Sequence, residues 1–526
     1  MKDLMLLNGN IYTMNPKLSM AEAVAIKDAK IIAVGTNADV ENLERKNFSI
    51  INLNGKTVIP GLIDCHTHFL SFAYRLKRAN LEGIESFDKL ISNIKLFSKN
   101  LKTNEWLVGD GWDKNVLGNE SIFTKESLDQ VCPQNPVALQ SKDHHLFWLN
   151  SKALKMAGIN RDTSDPNGGK IKRDAITKEP TGLLKENACN LVWQKIPPPS
   201  ISATKELVKE AMKIANTYGL TGIHNFDEHE AFSVFQQLYE SDELTLRVCF
   251  WIQNRDLDSA IGLGFRSGFG NENLRFGGLK LYSDGTLGSQ TALMFKPYQG
   301  SKNNYGIEVT SQEQLSDRVK KASQAGISAA IHAIGDKGVH QALNAIESLR
   351  PNKKDRKLRH RIEHVQLLHP SDVERFGKLG VIASVQPVHI PTDRENAEKY
   401  WGKRCQLAYA YKTLMENGAR LAFGSDAPIE TLDPLKGICA AVLRKNIRED
   451  ESWYTNEGMR MAETIYAYSQ EASYASYEEN LKGSIEVGKL GDMVVLSQDI
   501  FDIDLEKIPE TKVECTILGG KIVFQA

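Results

Sequence analysis

Read from its amino end, the chain alternates short apolar runs with tight-turn residues. "LMLLNGNIYTM" sets Asn8-Gly9 between two such runs, a strong hairpin signal. "AVAIKDAKIIAVG" repeats the arrangement around Asp28-Ala29-Lys30. The carboxyl end returns to it in "GSIEVGKLGDMVVLS" and in "VECTILGGKIVFQA", which turns at Gly519-Gly520. Two β-rich ends around a different middle predict one small β-sandwich domain made from both termini, over 1–57 and 478–526.

From about Ser202 the pattern changes to strand–helix alternation. "ATKELVKEAMKIANTYG" carries Leu207, Val208, Ala211, Met212 and Ala215 on one helical face. Apolar runs follow in "TGIHNF", "LTLRVCFWI", "GGLKLYSDG", "ISAAIHAIG", "RHRIEHV", "VIASVQP" and "RLAFGSDAP". Helical stretches lie between several of them, one opening with the capping-box pair Ser311 and Gln314. Apolar strands joined by helical crossovers mean a parallel sheet covered by helices. With a first strand at Val58–His68 the count reaches eight, which predicts an α/β fold, a (β/α)₈ TIM barrel, over 58–477. Residues 71–201 then form a large insertion after the first barrel strand, rich in loop signals such as "DTSDPNGGK" and "KIPPPS".

Composition narrows the function classes. The 526 residues are 41% hydrophobic and 25% charged, with 65 basic against 66 acidic side chains. No basic block or stripe marks a nucleic-acid partner. No apolar stretch is long enough for a membrane span, and the run Leu4–Leu7 is too short for a signal-peptide core. Seven cysteines without a C-x-x-C pair read as reduced thiols, which places the chain in the cytoplasm.

The candidate chemistry starts at "DCHTHFL". Residues two apart in a strand share a face, so His66 and His68 project together while Cys65 points away. One such histidine is an ordinary core residue, but a pair at the carboxyl end of a barrel strand favours a metal. Other strand ends carry His332 in "AAIHAIGD", His364 in "RIEHV" and Asp426 in "FGSDAP", one and then two βα repeats apart. This nitrogen–oxygen donor set suits Zn²⁺, with Mn²⁺, Ni²⁺ or Fe²⁺ as alternatives. Lys280 stands inside an apolar strand; it is either tilted outward and paired, or neutral and open to reaction with CO₂.

Together, "PGLIDCHTHF", "LKLYSDGTLGSQTALM", "IHAIGD", "RIEHVQLL", "ASVQPVH" and "LAFGSDAPIETLDP" resemble the amidohydrolase superfamily. More narrowly they resemble the amidohydrolase-3 branch, which includes YtcJ-like proteins and N-substituted formamide deformylases. The resemblance covers essentially the whole chain. It implies one or two divalent metals per subunit, His66, His68 and Asp426 holding one and His332 and His364 the second. Lys280 matches the position of a carboxylated bridging lysine. "DHHLFWLNSKAL" is similar to a D-G-H and N-S-x-A-L stretch, with His145 at the histidine position and His144 replacing the glycine. By the same resemblance Trp112, Asp113, Glu186 and Asp393 are substrate-pocket residues; Trp112 has a core alternative and Glu186 a pairing one. His224 and His229 read as structural. A homodimer is the family expectation.

The expected reaction is hydrolysis of a C–N bond in a small molecule, an N-acyl or N-formyl amine. Asp426 moves the proton, and His389 or His145 stabilises the oxyanion. Deamination is the rival within the enzymes, but "HAIGD" lacks the glutamate that adenosine-type deaminases carry after the fifth-strand histidine. A catalytically silent scaffold is the rival outside them, although every ligand type is present.

Overall fold

Gly61 divides the apolar run "KTVIPGLI" between two sheets. Thr57–Pro60 pairs antiparallel with Met493–Leu496, whereas Leu62–Thr67 opens a different, parallel sheet. A Cβ at Gly61 would lie 2.3 Å from Thr221 Oγ1, so the handover needs glycine. The single strand expected at Val58–His68 is thus two. The structure, a computed structural model, describes residues 3–43, 48–99, 101–118, 120–142, 145–349, 358–445 and 451–526. Two units are distinguished: 1–72 with 208–526, and 73–207.

The first unit contains the barrel. Its strands are β1 Leu62–Thr67, β2 Leu220–Asn225, β3 Arg247–Gln253, β4 Leu274–Tyr282, β5 Ser328–Ala333, β6 Arg361–His364, β7 Ile382–Val385 and β8 Arg420–Phe423. They form one 8-stranded sheet in sequence order, each parallel to the next. A parallel bridge from Thr67 to Ala427 brings its edges together. Strands β1, β2, β5, β6 and β7 are buried at every position, which is why they read as unbroken apolar runs. Ser311 and Gln314 make the expected capping box at the head of helix Gln312–Gln324.

The termini build two sheets. A 4-stranded one runs Lys30–Gly35, Ala23–Lys27, Asp3–Leu7, Phe48–Asn52. A 6-stranded one runs Lys521–Gln525, Val513–Leu518, Met493–Leu496, Thr57–Pro60, Asn10–Asn15, Leu18–Ala21. Leu4, Val24 and Ile26 of the first pack with Ile11, Val58, Met493, Val495 and Ile517 of the second. Asp28-Ala29 and Gly519-Gly520 turn their hairpins with φ positive at both residues. Asn8-Gly9 does not. Asn8 has φ 59°, but the strands on either side belong to different sheets, and Leu53 Cδ1 occupies the space within 2.3 Å of a Gly9 Cβ. Here glycine serves close packing at a crossing between sheets. The buried Arg247 of β3 grips Asp492 bidentately, Nε to Oδ2 at 2.6 Å and Nη2 to Oδ1 at 2.8 Å.

The second unit, for which the sequence yielded no fold, is a 6-stranded mixed sheet. Its order is Gly169–Arg173, Pro180–Glu186, Leu146–Leu149, Val137–Ser141, Leu107–Trp112, Ala79–Asn80. Trp112, Phe123 and Trp148 centre one core of this unit, and Phe147, Leu154 and Val192 belong to another.

All seven cysteines are free and buried. Among the described residues no helix is long and apolar enough to cross a membrane.

Candidate metal centre

The edges of the barrel meet at the candidate ligands. Asp426 N–H donates to His66 O at 2.7 Å, and His68 N–H donates to Ala427 O at 2.8 Å. Asp64 Oδ1 accepts from both His66 N–H and Ser425 N–H at 3.0 Å. These bonds face the side chains of β1 and of the turn after β8 toward one point. Nε2 of His66 and Nε2 of His68 each lie 3.5 Å from Asp426 Oδ1. One ligand atom from each of the three residues falls within 4.8 Å of the others. Cys65 packs away from them, with Ile63, Ile382 and Ala422.

The tautomers follow from the partners. Glu363 accepts His66 Nδ1–H at 2.6 Å, so the Nε2 lone pair is left for a cation, and the Lys280 Nζ occupies it at 3.1 Å. Gln386 Oε1 accepts His364 Nδ1–H at 2.8 Å, which again leaves Nε2. His332 instead donates Nε2–H to Gly285 O at 3.1 Å, leaving Nδ1. The His364 ring centroid is 4.5 Å from that of His332 and 4.8 Å from that of His66, so these rings form one cluster.

Electrostatics prepare these groups for a cation. Burial, then Lys280, holds His66 down to about 3 and His332 down to about 4. Burial and then His332 hold His364 well below the usual histidine range. Burial alone would raise Asp426, but His389 and then His66, His364 and His68 outweigh it and keep the carboxyl well below its ordinary value. Lys280, fully enclosed beside the Phe226 ring at 4.3 Å, is lowered by burial to about 8, although Glu363 and Asp426 oppose the shift. Neutral imidazoles beside an ionised carboxylate are the form in which this donor set binds divalent metal. The residues therefore fit the implied ion.

His389 lies on the same side, buried, with Nε2 3.7 Å from Asp426 Oδ2 and Nδ1 3.7 Å from Asp393 Oδ2. Trp112 is enclosed in the core of the 73–207 unit and donates Nε1–H to Leu139 O at 3.0 Å, as its core alternative expects. His145 and Glu186 of the same unit pair with each other at 2.8 Å, both more than half exposed. Asp113 is half-buried there. His144 lies outside the described residues. His224 is buried and accepts from Arg361 Nη1 at 2.9 Å, whereas His229 is an exposed residue at a helix start.

Supporting residues that escaped the sequence reading include Asp64, Glu363, Arg361 and Gln386. The signal was present, because Arg361 and Glu363 are charged residues in a strand buried on both faces, and buried charges are paired. Arg361 Nη2 donates to Glu363 Oε2 at 2.9 Å and to Cys65 O at 2.6 Å.

A model of the amidohydrolase family matches residues 49–524. YtcJ of Bacillus subtilis strain 168 is 35% identical over 530 aligned residues, covering 98% of each chain. The N-substituted formamide deformylase of Arthrobacter pascens is 26% identical over 549, covering 100% of this chain and 99% of its own. A crystal structure of an uncharacterized metal-dependent hydrolase from Pyrococcus furiosus superposes with a TM-score of 0.79 at 26% identity, covering 95% of this chain and 100% of that one.

Proposed function

The chain belongs to the amidohydrolase family, and from that premise we propose that this metal-dependent hydrolase cleaves the C–N bond of a small N-acyl or N-formyl amine. The observation that carries the reading is the convergence of His66 Nε2 and His68 Nε2 on Asp426 Oδ1, each at 3.5 Å. The full-length likeness to a formamide deformylase supports the choice of a formyl or short acyl group.

In this reading His66, His68 and Asp426 hold one divalent ion, Zn²⁺ by its donor set, while His332, His364 and a carboxylated Lys280 hold a second. Such an ion, when bound, supplies Lewis acidity to the substrate carbonyl and to the attacking water. Asp426 accepts a proton from that water and passes it to the leaving nitrogen. His389 donates a hydrogen bond to the carbonyl oxygen as negative charge develops on it. Glu363 and Gln386 keep the two rings they touch in the tautomers and orientations that the site needs.

Asp426→Asn in the Zn²⁺-reconstituted protein tests the proton role, with N-formyl and N-acyl amines as substrates. Turnover is expected to vanish while metal content stays above half of the wild-type value. Turnover at the wild-type rate would remove Asp426 from the chemistry, and ammonia release without acyl transfer to water would make the protein a deaminase.

A further inference from the structure

Tyr409 is fully buried and holds φ 51°, in the left-handed region. A bulky residue is strained there, and such strain persists only where the surroundings impose it. Three bonds do so. Tyr409 N–H donates to Gln366 O at 2.9 Å, Arg444 Nη1 donates to Tyr409 O at 2.9 Å, and the phenol donates to Asp393 Oδ2 at 2.6 Å. Gln366 Nε2 donates to that same oxygen at 3.2 Å. Gln366 comes directly after His364 and Val365, which also have positive φ, 74° and 47°. The segment that brings His364 to the metal centre therefore turns at once to bring Gln366 to Asp393.

Asp393 lies four residues after His389 on helix His389–Trp401, where side chains share a face. Its doubly held Oδ2 faces His389 Nδ1 at 3.7 Å, and the opposite ring nitrogen, Nε2, faces Asp426 Oδ2 at 3.7 Å. Each ring nitrogen thus faces a carboxylate, and of the two carboxylates it is Asp393 that the Tyr409 hydroxyl and the Gln366 amide hold.

We propose that Tyr409 is a positioning residue of the hydrolytic centre: its hydroxyl, with the Gln366 amide, fixes the Asp393 carboxylate, which in turn fixes the His389 ring with Nε2 toward Asp426. This rests on the reading of Asp426 and His389 given above. It moves Asp393 from the substrate pocket to the support of His389. A substrate-binding Asp393 would act on KM; a supporting one acts on kcat. A purely structural Tyr409 would be served equally by a phenylalanine ring against Trp453, whose centroid is 5.8 Å away.

The test uses Tyr409→Phe and Asp393→Asn in the full-length, Zn²⁺-loaded protein, with Tyr411→Phe as the control. Tyr411 is buried next to Tyr409 but its hydroxyl has no bond. Tyr409→Phe is expected to lower kcat about tenfold, the scale seen when support behind an active-site group is removed, with KM and metal content unchanged. Asp393→Asn should fall at least as far, and Tyr411→Phe should match the wild type. The second readout needs no turnover. In ¹⁵N-histidine-labelled protein the His389 ring N–H resonance, assigned by its loss in His389→Asn, is expected in the wild type and in Tyr411→Phe. In Tyr409→Phe and Asp393→Asn it should be lost to exchange with water. A ring resonance unchanged in both variants overturns the proposal whatever the kinetics, as does a rise in KM with kcat intact. If no amide is hydrolysed by the wild type while the resonance behaves as expected, the arrangement stands and the assigned reaction falls.

Discussion

Glu363 Oε2 accepts the Nδ1 proton of His66 at 2.6 Å, with neither side chain exposed to solvent. The bond joins β1 to β6 and decides which nitrogen of His66 meets a cation. Glu363 also neutralises the buried Arg361, which holds its carboxyl well below the usual range although burial opposes this. Glu363→Gln keeps the shape and removes the charge. We expect Zn²⁺ affinity to fall about 10- to 100-fold in chelator competition, the usual cost of losing a partner behind a metal-bound histidine. Unfolding should be easier by about 3–5 kcal/mol, because Arg361 is left buried and unpaired. An affinity equal to the wild type would show that Glu363 has no part in presenting His66.

Gly424 sets the approach of β8 to β1. A Cβ there would lie 2.5 Å from His66 N and 2.8 Å from Asp64 Oδ1, closer than packed atoms come. Gly424→Ala should push apart the two edges that carry His66 and Asp426. The expected result is a lower Tm and a weaker metal site together. A variant with normal Tm and normal Zn²⁺ content would mean that the edges can shift without cost.

Lys280 offers a share of neutral amine near its lowered value of about 8. A neutral amine and CO₂ give a carbamate and release one proton. Metal uptake should therefore rise with added bicarbonate around that pH, and mass spectrometry of the native protein should find the added carboxyl on Lys280. Lys280→Met should bind one metal fewer. Equal metal content with and without CO₂ would leave Lys280 as a plain buried amine.

His389 carries a pH signature. Burial pulls it down, but Asp426, Asp393 and Glu430 outweigh burial and raise it to about 9 from 6.5. The folded state then holds a proton that the unfolded chain has lost between those values, so stability falls as pH rises through this window. The contribution is fully present below 6.5 and gone above 9. Urea unfolding of metal-free protein should show this slope, and His389→Gln should flatten it. A wild-type slope of opposite sign would mean that His389 is neutral in the folded protein.

Much of the fold is legible in one dimension. Parallel strands buried on both faces leave unbroken apolar runs, so "ISAAIHAIG" and "VIASVQP" announce β5 and β7 without reference to any neighbour. The polar residue that ends such a run marks the carboxyl rim of the barrel, which makes His66, His332, His364 and Asp426 visible as a group. Local turn rules were weaker guides. The same positive-φ chemistry that turns Gly519-Gly520 into a hairpin sends the chain from one sheet to another at Asn8-Gly9, because the choice depends on Leu53 packing across the gap.

What the chain settled alone is therefore the class of fold, and it marked the candidate ligands, since both follow from periodicity and from residue chemistry at strand ends. Tertiary structure alone decided which partner fixes each ring: Glu363 for His66, Gln386 for His364, Gly285 for His332. Glu363 lies 297 positions from His66, and Gln386 and Gly285 come from strand ends next to those of the rings they hold. Their hydrogen bonds depend on distances of a few ångströms, which closing the barrel creates and no spacing along the chain encodes. The sheet of the 73–207 unit was hidden for the same reason, because its strand order departs from chain order and its pairings reach across loops that carry no periodic signal.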